Sequence, residues 1–161
     1  MYGGFMNLSP RISSPFTTIL LIDDNDHDRT YYAERIRIGI PDCIVLEAED
    51  GQSGLGLYRS RRIDCIITEL HLPDMSGIEL LMEVVPRASQ PTIAVIVLTR
   101  VVSRSFDAIA IQNGAQALLV KRFTSGDELV QLIPTAMAWV GPNEKPRSPD
   151  YPTSWPSGSA N

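Results

Sequence analysis

Short apolar runs alternate five times with longer stretches in which apolar residues recur at helical spacing. The first run covers about Thr18 to Ile22, and the second is Ile44, Val45 and Leu46. The third is Ile63, Cys65, Ile66 and Ile67, the fourth spans Ile93 to Leu98, and the fifth is Ala117 to Val120. Runs this continuous suit strands covered on both faces of a parallel sheet. Between them the pattern predicts helices from about His27 to Ile38, from Gly51 onward, from Ile78 to Val85, around Val102 to Ile109, and from about Ser125 to Trp139. Pro73, Asp74, Ser76 and Gly77 form a turn into the third helix, and Asn113 with Gly114 ends the fourth as a C-cap. Gly54 and Gly56 each weaken the second helix by about 1 kcal/mol. Pro134 is expected to kink or shorten the last.

Five strand–helix alternations call for right-handed crossovers and a doubly wound α/β sheet with helices on both faces. Residues 17–140 hold this pattern and form the expected domain. Residues 1–16 are rich in Gly, Ser, Asn and Pro without a period and read as a flexible leader. Residues 141–161 are rich in Pro and Ser and read as a disordered tail, too short for an attached output domain.

Composition changes this picture little. A net charge of −5 gives no electrostatic reason for direct contact with nucleic acid or an anionic membrane. No apolar run approaches the roughly 20 residues that span a bilayer. The N-terminal stretch lacks a basic start followed by an apolar core, so a cytoplasmic location is expected. Cys43 and Cys65 lack metal-knuckle spacing and read as reduced packing residues. His27 and His71 have no second histidine at metal spacing and read as surface side chains.

The candidate chemistry sits at the carboxyl ends of the strands. Asp23 and Asp24 follow the first strand, Glu69 the third, Thr99 the fourth and Lys121 the fifth. Parallel strands bring all of them to one edge, where open α/β sheets hold their ligands. Carboxylates gathered there repel one another unless a cation or proton intervenes. Hard oxygen donors of this kind suit magnesium, while a lysine and a hydroxyl opposite suit phosphoryl oxygens. The combination points to phosphoryl transfer to a carboxylate.

Four segments, LLIDDND at Leu20 to Asp26, LHLPDMSG at Leu70 to Gly77, VIVLTR at Val95 to Arg100 and GAQALLVKRF at Gly114 to Phe123, stand in an order that resembles the receiver domain of two-component response regulators. The resemblance implies a flavodoxin-like (βα)5 sheet with strand order 2-1-3-4-5. It implies that Asp23, Asp24 and the His71 carbonyl bind magnesium, and that Thr99 and Lys121 contact the phosphoryl group. Four positions depart from the family pattern. Glu69 replaces the phosphoacceptor aspartate, Leu118 the switch aromatic, Arg100 a small residue, and Arg122 the proline after the lysine. A non-proline cis bond costs about 3 kcal/mol, so either a trans Lys121–Arg122 peptide or local strain there is expected. Arg100 is a candidate to reach Glu69 and stand in for magnesium, leaving ion binding weak or lost.

Glu69 has three readings: an inert survivor, a constitutive partial imitation of the phosphorylated state, or a working acceptor. The expected function is an atypical single-domain receiver, not an enzyme, that acts independently of phosphorylation through protein binding. Its partner would be a histidine kinase or a downstream effector. The expected surface is the fourth helix, fifth strand and last helix, and a homodimer is a candidate arrangement there. One alternative is a conventional magnesium-dependent phosphoryl acceptor. Another, on the D-x-D spacing of Asp24 and Asp26, is an aspartyl phosphatase of the haloacid dehalogenase type, against which His27 and the chain length argue. No glycine-rich phosphate loop is present.

Overall fold

A computed structural model describes residues 16–140; the leader and tail expectations lie almost wholly outside them. Five parallel strands, β1 (Thr17–Ile22), β2 (Cys43–Ala48), β3 (Cys65–Thr68), β4 (Ala94–Thr99) and β5 (Ala117–Val120), form one sheet in the order β2-β1-β3-β4-β5. The helices are α1 (Asp26–Gly39), α2 (Gly51–Ser60), α3 (Gly77–Val84), α4 (Arg104–Gln112) and α5 (Gly126–Ala138). This is the flavodoxin-like doubly wound architecture, with the strand order that the resemblance implies.

The two-residue period of the strands divides the core into two layers. Ile19 and Leu21 of β1, Cys65 and Ile67 of β3, and Ala94, Ile96 and Leu98 of β4 pack under α1 and α5 with Tyr32, Ile36, Leu129 and Ile133. Leu20 and Ile22, Ile66, and Val95 and Val97 pack on the other face with Leu55, Leu80, Leu81 and Val84. Side chains leave β1, β3 and β4 into apolar layers on both sides. This is why those strands read as unbroken apolar runs. β1 lies between β2 and β3, pairing with both Cys43 and Cys65 at Thr17 and Ile19, and both cysteines are free thiols.

Side-chain caps define the helix starts: Asn25 for α1, Asp50 for α2, and capping boxes of Ser76 with Glu79 and Ser125 with Glu128 for α3 and α5. Gly114 follows α4 with φ of 94°, as its C-cap pattern predicts. Pro134 does not shorten α5, which continues to Ala138. The ring sits on the exposed side, and Ile133 and Ala136 remain buried around it. Apolar packing on the inner face thus carries the helix past one missing N–H. No helix among the described residues is long and apolar enough to cross a membrane.

The two α2 glycines are not equivalent. A Cβ on Gly54 would collide with the Ile22 side chain, so Gly54 permits α2 to lie close on β1. A Cβ on Gly56 would meet open space. Gly56→Ala is therefore expected to raise unfolding stability by about 0.5–1 kcal/mol, whereas Gly54→Ala lowers it by about 1–3 kcal/mol through overpacking. Urea midpoints moving the same way for both variants would contradict this packing.

Candidate functional site

β1 ends at Ile22, and the Asp23 N–H continues the ladder to Ala48 O at 3.0 Å. The Asp23 side chain is directed inward and is 1% exposed. Its Oδ1 accepts the Asn25 N–H at 2.9 Å and its Oδ2 accepts from Lys121 Nζ at 2.6 Å. Asp24, next in the chain, is exposed at the rim. Asn25 caps α1 by accepting the Asp28 N–H, which places Asp28 in the first turn above the strand ends.

Glu69 continues β3 by donating its N–H to Ile22 O at 2.8 Å. Its carboxylate turns back over its own loop. Oε1 accepts the N–H groups of Leu70 at 2.6 Å and His71 at 3.2 Å, and Oε2 pairs with Lys121 Nζ at 2.8 Å. The loop beneath is held from two directions. Asp74 accepts the Gly51 and Gln52 N–H groups of α2, both at 2.8 Å, and the Gly77 N–H reaches Leu70 O at 2.7 Å. A side chain at Gly77 would strike the Glu69 carbonyl. The glycine thus fixes how close α3 lies to the acceptor position.

Lys121 is the centre of the site. Its ammonium group donates to Asp23 and Asp28 and pairs with Glu69, at 2.6, 2.9 and 2.8 Å. Burial alone would favour the neutral amine, but the three carboxylates outweigh it and hold the lysine well above its ordinary value. Burial pushes the Asp23 carboxyl up, beyond what Lys121 and the Asn25 N–H offset. Burial acts on Asp28 in the same sense, but there Lys121 and Arg100 prevail and hold the carboxyl below its usual range.

Arg100 does make a salt bridge at the pocket, but to Asp28 and not to Glu69. Its Nε and Nη2 grip both Asp28 oxygens at 2.7–2.9 Å. The reason is local: Asp28 rises from α1 beside the β4 end, while both Glu69 oxygens are already engaged. Thr99 is fully buried, and its hydroxyl accepts the Val101 N–H at 3.2 Å. Leu118 is half-buried and, like Phe106, packs against the core layer under α2 and α3. The His71 ring meets the edge of Phe106 at 5.9 Å between centroids. No peptide bond among the described residues is cis, the Lys121–Arg122 bond included. Arg122 lies over the Phe123 ring, 4.4 Å from its centroid. Asp26 faces solvent against Arg29, whereas Asp24 lines the pocket.

Asp28 is the member that sequence reasoning missed. An acid in the first turn of a helix is ordinarily read as a partner of the helix dipole, which accounts for it without reference to the lysine across the sheet. Its one signal was redundancy, because Asn25 and Asp26 already supply that chemistry.

Asp23, Asp24, Glu69, His71, Thr99 and Lys121 line a cavity of about 210 Å³. Its hard oxygen donors fit a magnesium ion that keeps most of its waters, with Asp23 and Asp24 as the residues that would hold it. Among the described residues no group of three His, Cys, Asp or Glu side chains is arranged to hold a metal ion. The cation that the inner carboxylates share is Lys121.

An acidic strand-end pocket closed by a lysine on a 2-1-3-4-5 sheet defines a signalling receiver. The family model described as the response regulator receiver domain matches residues 19–134, and the chain belongs to that family. It is 34% identical over 102 residues to a response regulator receiver protein of Anaeromyxobacter sp. (strain Fw109-5), covering 63% of this chain and 41% of that protein. It is 32% identical over 116 residues to the nitrate/nitrite response regulator NarL of Escherichia coli K12, covering 71% and 52%. The chain thus spans about half the length, or less, of these two relatives. The chemotaxis protein CheY of Pseudomonas aeruginosa is 30% identical over 108 residues, covering 66% of this chain and 86% of that one. Among solved structures, a receiver domain protein from Clostridium thermocellum superposes with a TM-score of 0.68 at 27% identity, covering 76% and 95%. Receiver domains are generally signalling modules of two-component systems and typically bind magnesium at the acidic pocket.

Removing the lysine tests the electrostatics. A raised lysine value contributes stability that is complete below its ordinary 10.5 and lost as pH rises beyond it. The lowered Asp28 value contributes stability present above 3.8 and lost as pH falls. Lys121→Met leaves three carboxylates facing one another and is expected to cost about 3 kcal/mol or more near neutrality. Their folded-state values then rise, so the variant should gain stability from about pH 7 to pH 5 while the native protein changes little. Parallel urea-unfolding profiles for the two proteins would refute the shared ion pair.

Proposed function

We propose that residues 17–140 are an atypical receiver that signals by binding a protein, without phosphorylation, in a two-component pathway of the cytoplasm. The observation that carries this reading is the Glu69 carboxylate, whose two oxygens are taken up by the Leu70 and His71 N–H groups and by Lys121. A carboxylate held by three donors is a poor nucleophile, because each of them must be released as the charge moves to a new bond. Glutamate also places its oxygens about 1.5 Å beyond those of an aspartate, and a misplacement of about 1 Å can cost on the order of a hundredfold in rate. The imitation of a phosphorylated side chain is partial. A phosphoryl group would bring nearly two charges and three acceptor oxygens, against one charge and two oxygens here.

The binding surface in this reading is α4, β5 and α5. Val102, Ile109 and Ile111 are 60%, 39% and 47% exposed, and β5 is only half-buried. Such a patch suits a histidine kinase, a downstream effector or a second copy of the chain. Magnesium binds weakly, since Lys121 already neutralises the inner carboxylates. Neither catalysis nor direct contact with nucleic acid or membrane belongs to this function.

Intact-mass analysis after incubation with magnesium and acetyl phosphate tests it. The native protein is expected to gain nothing, while Glu69→Asp, whose shorter side chain gives up the backbone contacts, gains one phosphoryl group. A phosphoryl group mapped to Glu69 in the native protein would establish the conventional acceptor instead.

A further inference from the structure

α4 is the most lightly anchored helix. Ala110 is its one fully buried residue, against three in α1 and four in each of α2, α3 and α5. Its placement therefore depends on how its N-terminal connection, residues 100–103, is held. Thr99, whose hydroxyl the family resemblance assigns to an added phosphoryl group, is turned to the Val101 N–H. The residue that ties this connection to an anion is the next one, Arg100.

The anion is Asp28, and the attachment is a built one. Arg100 donates from Nε at 2.9 Å and from Nη2 at 2.8 and 2.7 Å, and Lys121 Nζ adds a further donor at 2.9 Å. The Asp28 side chain is 14% exposed although the arginine that covers it is 63% exposed. A two-nitrogen guanidinium grip fixes direction as well as distance, which a single ammonium cannot do. Arg100 and Lys121 line both the Glu69 cavity and a neighbouring one of about 410 Å³ that Asp28, His27 and Tyr31 also line.

We infer that Asp28 is a positioning residue, an anion built into α1 that captures Arg100 and holds the β4–α4 connection, and with it the exposed face of α4, in one arrangement without modification of Glu69. Asp28 thereby does from α1 what an added phosphoryl group would do from β3: it presents a fixed negative charge to this connection. Glu69 cannot substitute, since its oxygens are engaged by its own loop and by Lys121. The inference goes beyond the proposed function, because the clamp does not depend on whether Glu69 can be phosphorylated.

Backbone hydrogen exchange on the full chain, with no phosphodonor present, tests it apart from the mass measurement. In Arg100→Ala and Asp28→Asn the amides of residues 101–106 should exchange about tenfold faster, while those of β1 and β3 keep native rates. Arg100→Lys, which offers one ammonium in place of the fork, should fall between, and Glu69→Gln, which leaves the Arg100–Asp28 grip intact, should accelerate them less than Arg100→Ala does. Arg100→Ala leaves the Asp28–Lys121 pair in place and so carries the test alone if Asp28→Asn folds poorly. Native exchange rates at residues 101–106 in Arg100→Ala, or equal acceleration in Glu69→Gln, would overturn the assignment.

Discussion

One buried ammonium group among three carboxylates is the constraint on which this sheet edge depends. The order β2-β1-β3-β4-β5 puts β5 two strand spacings from β3 and three from β1, so the Lys121 side chain and the carboxylate side chains it meets must together bridge roughly 10 Å or more across the sheet. Asp23 and Glu69 lie on adjacent strands and would repel each other without the lysine. Such a cluster adds little stability over an apolar core of the same volume, yet losing one partner is costly. Its value is geometric, since it fixes three connections relative to one another at the point where they converge.

The acceptor loop shows how the rest of the chain supports that point. Asp74 borrows the first N–H groups of α2, Gly77 lets α3 approach the Glu69 carbonyl, and Leu70 receives the Gly77 N–H. None of these contacts touches Lys121, but together they hold the Leu70 and His71 N–H groups where the Glu69 carboxylate can reach them. The longer glutamate side chain satisfies itself locally and still reaches the lysine. Local backbone geometry and long-range charge are thereby balanced on one side chain.

Much of this was legible in the sequence because parallel topology converts strand ends into a common edge. Asp23, Glu69, Thr99 and Lys121 follow four apolar runs, and periodicity alone brings them together. What stayed hidden depended on side-chain direction. Asp28 sits where a helix dipole already explains an acid, and the partner of Arg100 could not be told from Glu69 without knowing that both Glu69 oxygens were spent. Gly54 and Gly56 look alike in sequence and differ only in whether Ile22 lies beneath. Pro134 did not shorten α5, because its cost is local whereas the burial of Ile133 and Ala136 that retains the helix is tertiary.

The four departures from the family pattern become intelligible as neighbours. Glu69 closes on its own loop, and the His71 of that loop lays its ring against Phe106 of α4. Phe106 and Leu118, the latter where the family has a swinging aromatic ring, both pack against the same core layer. Arg100 grips Asp28 from the other side of the same connection, and Arg122 is occupied with Phe123. Glu69, Arg100 and Arg122 each already have a partner, and Leu118 offers no ring to swing. A residue with every donor and acceptor engaged must break contacts before it can rearrange, and the breaking costs on the order of 1–3 kcal/mol per charged hydrogen bond. With the inferred Asp28–Arg100 clamp, such costs on one short connection favour one arrangement of α4 without modification of Glu69.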